Sequence, residues 1–140
     1  MSAGQKINQA AAIPFRHQNG KVEYCLITAL SQPDFWTIPK GTIEPGDSAK
    51  VTALKEAEEE AGILGKVVGE CLGSYVYEKS GAKLKVAVFL MQVNRVLDRW
   101  DESHVRKRQW VTGSDALRIL RSHPAFGLIQ SGLILAAATS

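Results

Sequence analysis

Residues 36–63 read WTIPKGTIEPGDSAKVTALKEAEEEAGI, a loop punctuated by Pro39, Gly41, Pro45 and Gly46 that runs into a segment crowded with acids at its far end. From Ser48 to Ala61 the apolar residues Val51, Leu54, Ala57 and Ala61 recur at helical spacing, which predicts one apolar stripe along about four turns. Asp47 or Ser48 is the expected N-cap, and Gly62 suits the left-handed residue that ends a helix. On that helix Glu59 and Glu60 follow Glu56 by three and four positions, so the three carboxylates share one side within about 6 Å of axial rise. Like charges at this spacing oppose helix formation, and a hard divalent cation such as Mg or Mn is the natural compensation. The glycine loop lets backbone come close to such an ion, and a carbonyl at Lys40 or Gly41 is a candidate ligand. Glu58 points about 160° away and reads as a solvated residue. Taken alone, the acidic run is better explained as an exposed helical face, and the loop in front of it is what shifts the reading.

Outward from this segment the chain is rich in strand patterns. Residues 9–15 and 22–30 read as a hairpin turning at Asn19-Gly20, and residues 31–41 as loop with at most a short strand at Phe35 to Ile38. After the helix, residues 66–78 and 83–93 form two further β-rich runs around the turn KSGA, and QWVT is a short last strand. SDALRILRSH starts a second helix, and Pro124 opens a third that runs to the AAATS tail. This order lacks simple βαβ alternation. It predicts an α/β chain of the α+β type, with a mixed sheet and helices on both faces.

A chain of 140 residues with 45% hydrophobic and 22% charged residues reads as one globular domain with a core over about residues 9–130. No apolar run reaches membrane-spanning length and MSAGQKINQ lacks the apolar core of a secretory signal, so a cytoplasmic protein without a membrane partner is expected. Cys25 and Cys71 sit in strand-like segments without metal-ligand spacing, which predicts buried free thiols. His17, His104 and His123 likewise show no ligand spacing. Residues 44–60 carry six acids against two bases, leaving fifteen bases against eight acids elsewhere. A basic body around one acidic segment suits an anionic ligand, although scattered solvated lysines explain the charge equally well. No stripe of aromatic and basic residues is evident, so no stable nucleic-acid partner is expected. Monomer and homodimer both stay open.

The segment resembles the Nudix box, Gly-x5-Glu-x7-Arg-Glu-U-x-Glu-Glu-x-Gly-U, where U is aliphatic. Here it runs Gly41, five residues, Asp47, seven residues, then Lys55, Glu56, Ala57, Glu58, Glu59, Glu60, Ala61, Gly62 and Ile63. The spacing is intact, and Asp47 for Glu and Lys55 for Arg are the departures. The resemblance implies a Nudix-like α/β/α sandwich and a pyrophosphohydrolase that uses Mg or Mn. By position it implies Glu59 and Glu60 as metal ligands, Glu56 as ligand or general base, and Lys55 with Asp47 as a brace for loop and helix. A lysine offers a point charge where an arginine offers a planar fork, so the brace is expected to be looser. Residues 96–120 are similar to the diadenosine polyphosphate and diphosphoinositol polyphosphate hydrolase branch. That similarity implies a phosphorylated small-molecule substrate, with Arg106, Lys107 and Arg108, together with Lys40, Lys83 and Lys85, as candidate phosphate contacts. Glu102 becomes a candidate additional acid. Trp36, Trp100 and Trp110 are candidates for stacking on a base, or for core packing. The alternative is a Nudix-like binding module that senses a phosphorylated ligand without hydrolysing it.

Overall fold

A computed structural model describes residues 5–139. The first four residues of the N-terminal stretch read for a signal, and Ser140 of the AAATS tail, lie outside the described residues. Strands β1 (Gln9–Gln18) and β2 (Lys21–Thr28) form the expected hairpin, with positive φ at Asn19 (53°) and Gly20 (77°) as a two-residue primed turn requires. Then come β3 (Trp36–Thr37), β4 (Lys40–Thr42), α1 (Ala49–Ala61), β5 (Ile63–Lys79), β6 (Ala82–Val96), β7 (Arg108–Val111), α2 (Gly113–Ile119) and α3 (Phe126–Ala138).

The strands make one seven-stranded sheet with main order β3-β2-β1-β6-β5, in which β4 pairs with β1 and β7 with β2. The β1–β6 pairing is parallel and the other pairings are antiparallel, so the sheet is mixed as expected. Alternation along β1 divides the core. Ala10 and Ala12 face the α1 side, where Ala53, Ala57 and Ala61 join Ile27, Ile63 and Met91. Ala11, Ile13 and Phe15 face the other side with Leu26, Val88, Leu90, Ile129 and Leu133. Alanines on both α1 and β1 let the helix axis lie close over the sheet, and this closeness brings α1's acids to the β4 backbone.

Two expectations change. On α1 the expected Ala57 and Ala61 are buried and Leu54 packs at the edge of the core, but Thr52, Ala53 and Glu60 join the buried face and Val51 is 44% exposed. The small residues on adjoining positions of the helical wheel fit the sheet more closely than a Val51-Leu54 stripe would. Cys25 is buried, with burial pushing its thiol up to about 12, but Cys71 is exposed because β5 loses register with β6 between Val68 and Gly73. Among the described residues no helix is long and apolar enough to cross a membrane.

Candidate active site

Ser48 caps α1 by accepting the Val51 N–H at 3.1 Å, and Gly62 ends it at φ 66°. Between them the carboxylates take unequal positions. Glu60 lies 6% exposed against the sheet, where its Oε1 accepts the Lys40 backbone N–H at 3.1 Å and its Oε2 meets Arg106 Nη2 at 3.3 Å. Burial pushes the Glu60 carboxyl up to about 8, with Glu56 adding to the rise, even though Arg106 and the Lys40 N–H favour the charged form. Glu56 is raised as well, first by burial and then by the charges of Glu59 and Glu102, while a hydrogen bond with Glu60 opposes the rise. Acids from one helix and one later loop therefore converge on Glu56. Glu58 is exposed and takes no part.

Strand β4 explains the glycine at the head of the segment. A Cβ on Gly41 would fall on the Glu56 carboxylate, so glycine is what lets Glu56 lie where it does against the strand. The bonds from Ala12 N–H to Pro39 O and from Ile43 N–H to Asn8 O, each 3.0 Å, set the ladder so that Pro39, Gly41 and Ile43 turn their backbone groups to β1. Lys40 then turns its N–H and C=O toward α1, consistent with its bond to Glu60. Of the two candidate carbonyls, Lys40's faces the acids and Gly41's faces the sheet.

The late loop between β6 and β7 is fastened to the end of α1. Glu59 O accepts the Glu102 N–H at 3.0 Å, Glu60 O accepts the Trp100 indole N–H at 2.9 Å, and Gly62 O accepts the Leu97 N–H at 2.8 Å. Ala61 O accepts Arg108 Nη1 at 2.8 Å, and the Arg108 guanidinium stacks 4.1 Å over Trp100. The last carbonyls of the helix, unpaired by their own helix, are thus satisfied. Glu102 is carried to the acids by this loop.

The predicted cations separate. Lys40 Nζ donates to Tyr77 Oη at 2.8 Å at the mouth of a cleft that Glu60, Arg106 and Lys79 also line. Arg106 is spent between Glu60 and Glu102, its Nε 2.6 Å from Glu102 Oε1. Arg108 caps the helix, and Lys107 is exposed outside the cleft. Lys83 and Lys85 pair with Glu78 and Val76, so they point to the opposite face of the sheet from Tyr75 and Tyr77. Lys83 and Lys85 thus lie away from Tyr75 and Tyr77, on the face of the sheet that α1 covers. Lys55 Nζ lies 2.9 Å from Asp47 Oδ2, so the substituted pair still closes. The Asp47 contact, by hydrogen bond and charge, raises the Lys55 pKa.

Beside Lys40 opens a cavity of about 410 Å³ with Phe35, Trp36, Tyr75, Tyr77 and His123 among its walls. Sequence spacing does not mark Tyr75, Tyr77 or Lys79; their only signature is alternation on one face of β5. His123 Nδ1 accepts the Ala125 N–H at 2.9 Å, and burial lowers the ring to about 4. Trp36 reaches this cavity, whereas Trp100 packs on Gly62 and Trp110 lies 3.8 Å under the Arg16 guanidinium. Among the described residues no three His, Cys, Asp or Glu side chains stand close enough together to hold a metal as they are.

Comparison with known proteins agrees with this geometry. Diphosphoinositol polyphosphate phosphohydrolase 2 of Homo sapiens is 33% identical over 117 residues, covering 82% of this chain and 63% of the relative. Diphosphoinositol polyphosphate phosphohydrolase 3-alpha of Mus musculus is 35% identical over 118 residues, covering 82% and 70%. The chain thus spans a little under two thirds of the first of these relatives. Among solved structures, a C. elegans Ap4A hydrolase binary complex superposes with a TM-score of 0.80 at 27% identity, covering 96% of this chain and 100% of that one. With the NUDIX domain profile matching residues 6–129, and the Gly41–Ile63 segment folded as the end of β4, the loop after it, the whole of α1 and the start of β5, this chain belongs to the NUDIX family.

Proposed function

We propose that the protein is a divalent-metal-dependent pyrophosphohydrolase that cleaves a phosphoanhydride in a polyphosphorylated small molecule. The observation that carries this reading is the gathering of Glu56, Glu59, Glu60 and Glu102 at the end of α1, beside a cleft that holds Lys40 and Lys79. The donor set fits Mg or Mn: two carboxyls are raised by burial and like charge, as expected of a site lacking its countercharge, and the Lys40 carbonyl faces them. Side-chain rotation of the half-buried Glu59 would bring the ligands together. Bound there, a divalent ion supplies charge neutralisation at the phosphates and activation of water. Glu56, whose carboxyl burial makes more basic than an exposed one, is suited to take a proton from water. Lys40 and Lys79 orient the phosphates, and Lys40 is held in place by Tyr77.

The aromatic cavity next to Lys40 supports a nucleoside polyphosphate, of which a diadenosine polyphosphate is one, over a diphosphoinositol polyphosphate. Aromatic walls suit a planar base, whereas an inositol ring bearing many phosphates needs several cations together, and among the described residues this cavity is lined by Lys40 alone of the lysines and arginines. The sensor reading has no specific observation in its favour. Hydrolysis of diadenosine tetraphosphate, diphosphoinositol polyphosphate and nucleoside triphosphates with Mg or Mn tests the proposal. Turnover of at least one, abolished in Glu60→Gln, is expected. Binding without turnover across the panel would replace the enzyme reading with the sensor.

A further inference from the structure

Arg106, expected from the sequence to touch phosphate, has all three guanidinium nitrogens engaged elsewhere. Nε donates to Glu102 Oε1 at 2.6 Å, Nη2 meets Glu60 Oε2 at 3.3 Å, and Nη1 donates to Thr28 O at 2.9 Å. Its side chain is only 10% exposed. The main chain around it is fixed from both sides. Glu102 O accepts the Arg106 N–H at 2.9 Å, and the neighbouring Lys107 N–H donates to Thr28 Oγ1 at 2.9 Å. Two acids on different elements, 42 positions apart, thus share one guanidinium whose orientation is set by a third contact on β2. We infer that Arg106 is a positioning residue. It holds the late-loop acid Glu102 at a fixed offset from the helix acid Glu60, so that the two carboxylates keep their remaining lone pairs directed to a common divalent ion.

The planar fork is what this task needs, since two donors on one rigid plane set the relative angle of two carboxylates and a single ammonium does not. Groups behind metal ligands are generally worth about 10- to 100-fold in metal affinity. The inference rests on the metal-site reading above, and it differs from a purely electrostatic role, in which Arg106 would simply repel an incoming cation.

The test measures Mn²⁺ binding to the full chain by the electron paramagnetic resonance of the free ion, with thermal unfolding in parallel. Arg106→Lys keeps the charge and loses the fork, so its Mn²⁺ dissociation constant should rise about tenfold or more. Glu102→Gln should weaken binding too. The double variant should lose less than the product of the two single losses, because the Arg106–Glu102 bridge is broken in both. Wild-type affinity in Arg106→Lys, tighter binding in Arg106→Gln, or losses that multiply in the double variant would overturn the inference. A measurement on the unmutated protein stands apart from any folding defect: the Arg106 Nε–H resonance should persist at saturating Mg²⁺. Its disappearance would mean that the metal displaces the guanidinium, and would also overturn it. Failure of the wild type to bind Mn²⁺ would remove the metal-site reading as well, whereas normal binding with an unaffected Arg106→Lys would remove this inference alone.

Discussion

Glu60 and Gly41 show how much a single position carries. Glu60 holds a carboxylate on the buried side of α1, and Gly41 gives the room in which Glu56 lies against β4. In Gly41→Ala the new methyl must push Glu56 aside, with an expected destabilisation of about 1–3 kcal/mol in chemical unfolding and a loss of turnover of about tenfold or more. Glu56→Gln removes one of two mutually opposed, partly buried charges. It should raise the melting temperature of the metal-free protein at pH 8 while abolishing hydrolysis, and a lowered melting temperature would contradict the charge assignment. The Asp47–Lys55 pair is exposed, so restoring the longer acid and the planar base in Asp47→Glu with Lys55→Arg should leave stability nearly unchanged. If the pair braces the carboxylates, turnover should rise; unchanged or lower turnover counts against bracing. At this scale the sequence was informative, since the cap at Ser48, the left-handed Gly62 and the exposed Glu58 all follow from local spacing. The partners of Arg106 and Arg108 were not legible, because a basic run says nothing about acids and carbonyls some forty residues away in the chain.

Among the elements, α1 is the one whose limits and acidic face are written locally, and β4 is the one that is not. Pro39 and Gly41 read as loop, and the strand exists only because β1 offers it a ladder. The buried stripe of α1 was displaced for a related reason: the receiving alanines belong to β1, and no helical period reports them. At the helix end, Trp100 lies against Gly62 and donates to Glu60 O. Gly62→Ala both forces a side chain into left-handed backbone and meets Trp100, so a loss of about 2 kcal/mol or more is expected from denaturant midpoints. Trp100→Phe keeps the ring and removes the indole donor, with an expected cost of about 1–3 kcal/mol for the carbonyl left unpaired.

At the scale of the whole molecule, the mixed sheet with helices on both faces was legible from element order alone. The aromatic cavity was not, because β3, β5 and the turn after α2 each bring only a few of its walls. His123 gives that assembly a titration signature. Its folded value of about 4 lies below the ordinary 6.5, so the unfolded chain binds the extra proton between the two. The stability associated with neutral His123 is present above about 6.5 and is lost as pH falls through about 4. Melting temperature should therefore decline across that window more steeply in the wild type than in His123→Asn, and parallel curves would refute the assignment. The fastening of residues 97–108 to the end of α1 has a consequence in time as well as in space. A segment made of turns and bends ordinarily exchanges its amide protons quickly, yet here the Leu97 and Glu102 protons are held by carbonyls of the helix. Their deuterium uptake should follow the slow opening of α1, so that helix and loop open to solvent as one cooperative unit.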